Sequence, residues 1–283
     1  MSEETIIKIE SVIDYIETHL NEKLTLDTIA AAIHYSKYHL SRLFVDTVGL
    51  HINEYIKRRQ LTEAAKLLIF SEKPIIDIAL LCGYQSQQAF SSAFKSMYKA
   101  PPAEYRATHS FYPLQLRFTL EKNYSRPLFS IDHIRLANET DIPAWMNLMH
   151  LVIDGYPEMN EEDYLTQLKI GISEQRALVL KDDALLIGAM LFNRHTGSID
   201  YWGVHPQYRN AGIHKLFIDA LLHTYLPNQD ISMTTYRAGD KADTGHRALL
   251  YTLGFAEREL LVEYGYPTQK FVLSSKQEGN AHD

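Results

Sequence analysis

Apolar residues in the first hundred positions recur at helical spacing, whereas those of the second half fall in strand-length runs separated by helices. The spacing predicts helices over about 25–33, 37–46, 53–68, 74–81 and 87–98. Laying position 36 over position 86 uncovers a repeat. Ser36 meets Ser86, Leu40 meets Phe90, Phe44 meets Phe94 and Tyr55 meets Tyr105. Upstream, Ile29-Ala30 meets Ile78-Ala79 one position out of register, so the second copy carries an inserted residue in its turn. Each copy reads as helix, short turn, helix. The turns are His34-Tyr35 and Cys82-Gly83-Tyr84-Gln85, where Gly83 supplies a positive-φ corner. Ser36 and Ser86 stand where an N-cap hydroxyl is wanted.

A duplicated helix–turn–helix of this length points to DNA binding. In the second helix of each copy, Leu40, Leu43 and Phe44, or Ala89, Phe90, Ala93 and Phe94, form the apolar face. The outer face of the first shows Lys37, Tyr38, His39, Ser41 and Arg42 beside Ser36. That of the second shows Gln87, Gln88, Ser91, Ser92 and Lys95 beside Ser86. Short donors and acceptors suit base edges, and basic residues suit phosphate. An ordinary helical bundle exposes such faces too; the repeat is what favours reading heads. The helix between the copies is Asn-capped at Asn53 in this reading and carries Lys57-Arg58-Arg59. At about 1.5 Å per residue it spans roughly 24 Å, the order needed to set two heads in successive major grooves.

Residues 107–130 mark a boundary between Pro113 and Pro127. Alternation at Leu114, Leu116, Phe118 and Leu120 predicts a short strand there, docked on either domain or paired with a second chain. Beyond it the pattern is α/β. Strands are expected at 131–136, 177–180, 185–192, 198–204, 231–236, 257–264 and 270–273, and helices at 141–150, 163–172 and 215–225, with a hairpin turn at Asp182-Asp183. The expected architecture is an all-α double helix–turn–helix over 1–108, a linker over 109–130, a mixed sheet flanked by helices over 131–275 and a polar tail over 276–283.

Charge sharpens this division. The chain of 283 residues has a formal net charge of −7. Residues 1–120 hold 13 Lys+Arg and 13 Asp+Glu, leaving the whole imbalance to the second half. An acidic second half is a poor nucleic-acid binder, while a neutral first half permits DNA contact if its positive charge is gathered on one face. A lone cysteine, Cys82, excludes an intramolecular disulfide framework and a CxxC metal site. No metal site is expected. The longest apolar run, Ala184 to Phe192, is half a membrane span, and the acidic N-terminus does not read as a signal peptide. A soluble cytoplasmic protein, monomer or homodimer, is expected.

Two resemblances extend these readings. The stretch Gly83-Tyr84-Gln85-Ser86, Phe90, Phe94-Lys95 and Pro102-Ala103-Glu104-Tyr105-Arg106 resembles the signature of the AraC/XylS family of transcription regulators. Leu24-Thr25-Leu26, Ile29-Ala30, Ser36, Leu40-Ser41-Arg42-Leu43-Phe44, Gly49 and Tyr55-Ile56 resemble that family's first helix–turn–helix. The resemblance implies a seven-helix module contacting adjacent major grooves of promoter DNA. Lys99 departs from the family, which usually has Gly before the Pro turn.

In the second half, a strand and a Gly-bearing loop run into a helix N-terminus, a generic cradle for phosphate. The pattern Val204-x-Pro206-x-x-Arg209-x-x-Gly212 in that context resembles motif A of the GNAT acyltransferases, and Leu250-Tyr251-Thr252-Leu253-Gly254-Phe255 resembles a later element of the same family. The resemblance implies acetyl-CoA, with the Val204 backbone beside pantetheine and amides from Asn210, Ala211, Gly212, Ile213, His214 and Lys215, near Arg209, receiving the pyrophosphate. His214 replaces a usual Gly or Ala, so its imidazole either crowds the pyrophosphate or points away. Tyr251 lies one residue late for the family's thiolate-protonating Tyr, where Leu250 stands. Amine acetylation also needs a base, since an alkylammonium is mostly protonated near neutrality. Asp200 is the candidate, with a solvent-facing strand acid as its plain reading; packing is the plain reading for Tyr251. Glu158, Glu161, Glu162 and Asp163 would attract a cationic amine or open a solvated helix. The expected function is a sequence-specific DNA-binding regulator whose second domain binds acetyl-CoA or a small effector. The alternative is an active N-acetyltransferase of an amine acceptor.

Overall fold

The computed structural model describes residues 3–121, 128–152, 160–263 and 265–275. The chain divides into two compact units. The first comprises Met1–Pro127, Met149–Met159 and Pro206–Ala211, and the second the remainder. No described helix is long and apolar enough to cross a membrane.

The first unit is helical: α1 (Glu3–Thr18), α2 (Leu26–Ala32), α3 (Lys37–Val48), α4 (Ile52–Phe70), α5 (Ile75–Leu81), α6 (Gln87–Tyr98) and α7 (Pro102–Ala107). Ile6, Ile9, Val12, Ile13 and Ile16 bury one stripe of α1. Phe44 and Phe94 are each fully buried. The two turns share one geometry. His34 (φ 56°) and Gly83 (φ 77°) both take the left-handed conformation at the end of the first helix. The next amide then reaches back to the same helical position, Tyr35 N to Ala30 O at 2.8 Å and Tyr84 N to Ala79 O at 3.0 Å. The predicted insertion therefore falls after this corner, at Gln85.

The caps depart from expectation. Ser86 Oγ accepts the Ala89 amide at 3.2 Å, as predicted for an N-cap. Ser36 makes no side-chain cap hydrogen bond. The joining helix starts at Ile52 with His51 as its N-cap residue, so Asn53 lies inside it. Thr25 caps α2 in a reciprocal box with Thr28. Lys99 (φ 62°) ends α6 in the left-handed conformation that glycine adopts most readily.

The stretch expected as a strand is an extended arm without a strand partner among the described residues. It packs along α4 in the first unit. Thr62 Oγ1 accepts the amides of Leu114 (3.0 Å) and Gln115 (3.2 Å). Arg58 Nη1 donates to Leu114 O (3.3 Å) and Arg59 Nη1 to Gln115 O (3.1 Å). Leu114, Phe118 and Leu120 are buried. Alternation is real, but a hydroxyl acceptor and two guanidinium donors replace a ladder as partners of the backbone. At the arm's end the buried Gln207 side chain brackets Glu121, accepting its amide at 2.7 Å and donating to its carbonyl at 3.1 Å.

The second unit holds β1 (Arg135–Leu136), α8 (Ile142–Val152, of which Met149 onward falls in the first unit), α9 (Glu161–Ser173), β2 (Ala177–Asp182), β3 (Leu185–Phe192), β4 (Ile199–Val204), α10 (Ile213–Ala220), β5 (Ile231–Tyr236), α11 (His246–Thr252), β6 (Ala256–Glu263) and β7 (Tyr266–Leu273). It contains two antiparallel sheets, β1-β2-β3-β4 and β5-β7-β6, where a single mixed sheet was expected. The parallel element is one bridge, Ser198 to Ser232, between β4 and β5. Residues 131–133 form a 3-10 turn in place of the start of a strand, and α10 gives way to a π turn over Leu221–Tyr225. The β2–β3 turn is Asp183-Ala184, with Asp183 at φ 49°, one residue later than predicted. β2 and β3 are buried almost throughout, and Gly188 leaves room for Phe217: a Cβ there would lie 2.6 Å from the ring. Asp141 accepts both guanidinium nitrogens of Arg135 at 2.8 Å. Those hydrogen bonds hold its carboxyl down at about 2 against the cost of burial.

Candidate functional site

Burial separates the two faces of α3 and α6. Leu40, Phe44, Thr47 and Val48 point inward on α3, and Phe90, Phe94, Met97 and Tyr98 on α6. Ser36, Lys37, Tyr38, His39 and Arg42 are exposed, with Tyr38 at 79 %, and Ser41 is half-buried. On the second helix Ser86, Gln87, Gln88, Ser92 and Lys95 are exposed and Ser91 is half-buried. Every predicted DNA-contact residue therefore lies on or at the edge of an outer face.

Not all are equally available. Lys37 Nζ lies 3.0 Å from Asp27 and above the Tyr38 ring. His39 stacks on Tyr35 with centroids 5.4 Å apart. The Ser86 hydroxyl caps its helix. Arg42 and Lys95 make no ion pair among the described residues, so their charge faces outward. The Lys57-Arg58-Arg59 run is largely withdrawn from phosphate. Arg58 and Arg59 are 0 % and 6 % exposed, holding Glu54 and the arm, and Glu17, Glu63 and the arm, respectively. Cys82 is buried, its thiol pushed up to about 12, which makes it a packing residue.

The candidate cradle begins where Val204, buried and paired with Gly188, ends β4. His205 N still bonds to Ile187 O at 2.7 Å; then Pro206–Tyr208 makes a 3-10 turn. Gly212, at φ 74°, is the N-cap of α10 and brings no capping side chain. A Cβ at Gly212 would meet nothing within 4 Å, so the helix start faces open space. The first amides of a helix have no acceptor within it, which suits Ile213, His214 and Lys215 to an anion. His214 packs edge-to-face on Trp202, centroids 5.0 Å apart. Lys215 Nζ pairs with Asp219 at 2.5 Å, Asn210 is exposed, Ala211 is half-buried, and the Arg209 stem lies against Gly49.

Beside this cradle, β4 has β3 on one side and, beyond the Ser198 bridge, no paired strand on the other among the described residues. On this stretch the Tyr201 hydroxyl and the Trp202 indole N–H are buried without a hydrogen-bond partner. Burial raises the Tyr201 phenol well above its usual range, leaving a neutral hydroxyl at physiological pH. A buried unpaired polar group costs about 1–3 kcal/mol. Consecutive strand residues face opposite sides of the sheet, Tyr201 against Trp145 and Tyr164 and Trp202 against His214, so of the two only the Trp202 N–H shares a side with α10. An acyl-CoA fits on these grounds: extended amide-bearing chain along β4, anionic phosphates at α10. The signal in the sequence was the adjacent aromatic pair Tyr201-Trp202, which periodicity alone does not single out.

The two acid–base candidates sit in separate networks. Asp200 is exposed, accepts from Ser198 Oγ at 2.8 Å and lies 3.7 Å from Arg176. Tyr251 is half-exposed on α11, and its hydroxyl donates to Glu257, which also holds Arg247. That hydrogen bond to a carboxylate raises the Tyr251 phenol. Glu161, Glu162 and Asp163 form the first turn of α9 behind an Asn160 cap; Glu158 lies outside the described residues.

Comparison with known proteins places the helical part firmly. A family model described as "Helix-turn-helix domain" matches residues 29–108. The chain is similar to the multiple antibiotic resistance protein MarA of Salmonella typhimurium, with 38 % identity over 103 residues, covering 36 % of this chain and 81 % of MarA. It is 39 % identical over 109 residues to the transcriptional regulator Rob of the same organism, and there the match covers only 38 % of each protein. An acetyltransferase of the GNAT family from Bacillus cereus aligns with 51 % of this chain and 97 % of its own at 15 % identity and a TM-score of 0.40.

Proposed function

This chain belongs to the AraC family of helix–turn–helix transcription regulators, and from that premise we propose that it couples DNA binding to an acyl-CoA or related small effector held along β4 and at the start of α10. It is a DNA-binding regulator through α1–α7. The observation that carries the effector reading is the open edge of β4 running into the uncapped Gly212 start of α10, with the unpartnered Trp202 N–H on the α10 side. In this reading Val204 and the β4 edge hold the pantetheine arm. The amides from Asn210 to Lys215, with Arg209 nearby, hold the pyrophosphate. A cytoplasmic setting follows from a DNA partner.

The supporting test is calorimetric titration of the full chain with acetyl-CoA, CoA and free pantetheine. Micromolar binding that needs the pyrophosphate is expected. Ala211→Asp, which sets a carboxylate beside the anion, should weaken CoA by about ten-fold, equivalent to about 1.4 kcal/mol. It should leave pantetheine unchanged. Absence of heat and of any thermal shift with all three ligands defeats the reading. When bound, acetyl-CoA supplies an activated thioester. An N-acetyltransferase would need Asp200 to take a proton from an amine and Tyr251 to give one to the leaving thiolate. The engagement of Tyr251 by Glu257 favours binding over transfer.

A further inference from the structure

In the first unit one arm is held at two places, by the loop Pro206–Ala211 at Glu121 and by α4 at Leu114 and Gln115. Gln207, 2 % exposed, brackets the Glu121 backbone with both ends of its amide. Glu121 is the last described residue of the arm, six residues beyond Gln115, and Leu114 and Gln115 are held on both backbone faces by Arg58, Arg59 and Thr62 of α4. α4 joins the two helix–turn–helix copies and so helps set how α3 and α6 present themselves. The same loop touches the first reading helix directly. A Cβ on Gly49, the left-handed C-cap of α3, would come within 2.8 Å of Arg209 Cδ.

We propose that Gln207 is a positioning residue through which occupancy at Asn210 and Ala211 is passed to the arm and α4, changing DNA affinity. This rests on the effector reading above. The physical ground is geometric. Two hydrogen bonds to one residue's backbone fix the side-chain amide in both distance and orientation, so a shift of the loop breaks both together. Asn210 and Ala211 lie three and four residues beyond Gln207, and Arg209 stands between them with its stem on Gly49. A ligand that draws these amides or the Arg209 guanidinium toward its phosphates acts on Gln207 and Gly49 at once. A buried Gln left without its partners is costly, so the loop has discrete arrangements rather than a continuum. Coupling then follows as a difference in ligand affinity between those arrangements, and it must be reciprocal.

The test uses the full chain, CoA, and a duplex recovered from a random library by selection on the wild-type protein. Saturating CoA is expected to change the duplex Kd about five-fold or more, the lower end of ordinary allosteric coupling, and saturating duplex to change the CoA Kd by the same factor. In Gln207→Leu, with Gln207→Met as a second variant should the first fold poorly, both ligands still bind and the factor falls to within about two-fold of unity. The full factor persisting in either folded variant overturns the proposal, as does CoA binding to the wild type with no effect on the duplex. A readout without CoA separates this from failure of the effector reading. Hydrogen exchange at the Leu114, Gln115 and Glu121 amides should accelerate in Gln207→Leu. Acceleration at Glu121 alone means the loop does not act on the part of the arm held by α4, and the proposal falls even if CoA binds.

Discussion

The two helix–turn–helix copies share a skeleton and differ on the surface. Both corners use a left-handed residue and the same back-reaching amide, and both reading helices bury an apolar pair in register, Leu40 and Phe44 against Phe90 and Phe94. On the outer faces the register sets Tyr38 against Gln88, Arg42 against Ser92 and Val45 against Lys95. The first head is aromatic and cationic near the helix start; the second is an amide–hydroxyl face with its cation a turn further on. Geometry is what the repeat preserves, because the corner and core must close. Recognition chemistry is free to diverge, and in the proposed reading one chain would thereby address two unlike half-sites.

The largest expected effect on that asymmetry comes from Arg42. Arg42→Ala should cost about 1–3 kcal/mol of duplex binding if its fork reads a guanine edge, and should relax preference in one half-site only. Lys95→Ala should instead weaken all duplexes alike and lower the log–log salt slope by about one, as a phosphate contact does. Gln88→Ala should leave the slope unchanged and blur the second half-site. Anisotropy over a salt series on selected duplexes distinguishes these outcomes. Equal loss of slope in all three would mean that neither face reads bases.

The corners offer the next contrast, in stability. At Gly83 a Cβ would sit 2.6 Å from the Glu22 carbonyl oxygen, and the backbone is left-handed as well. Gly83→Ala should therefore destabilise by more than about 1 kcal/mol. His34 holds the matching conformation with a side chain, so His34→Gly should be neutral or stabilising by up to about 1 kcal/mol. Urea midpoints at constant m decide it; a stable Gly83→Ala would break the equivalence of the two corners.

The same contrast explains what could be read from the chain before folding. Helical periodicity and the register of 50 located α2, α3, α5 and α6 within a residue or two, because their apolar faces must meet a core. Gly83 announced its corner; His34 did not, since its residue type gives no hint of a positive φ. The alternating Leu114–Leu120 segment was misread as a strand because its hydrogen-bond partners, Thr62, Arg58 and Arg59, lie more than fifty residues away. For the same reason the run Lys57-Arg58-Arg59 gave no sign that two of its cations hold this arm. The strand–loop–helix at Val204–Lys215 was legible from Gly212 and its neighbours. The split between β4 and β5 was not, because pairing between strands is a property of the whole sheet. The burial of the Tyr201 hydroxyl beside Trp145 and Tyr164, and of the Trp202 N–H beside His214, comes from packing between distant elements and was equally hidden.

The smallest effect sharpens the comparison most cleanly, since it concerns one residue type at one register position. Ser86 Oγ accepts the Ala89 amide, whereas Ser36 makes no cap bond. Ser86→Ala should cost about 1 kcal/mol of stability, the usual worth of an N-cap hydroxyl, and Ser36→Ala close to nothing. In DNA binding the order should reverse: the exposed Ser36 hydroxyl is available to a phosphate oxygen, while that of Ser86 is already engaged in its own helix. Thermal midpoints and duplex affinities of the two variants give a two-by-two result. Equal loss of stability would show that Ser36 caps its helix in solution, and the two heads would then start alike and differ only from Tyr38 and Gln88 onward.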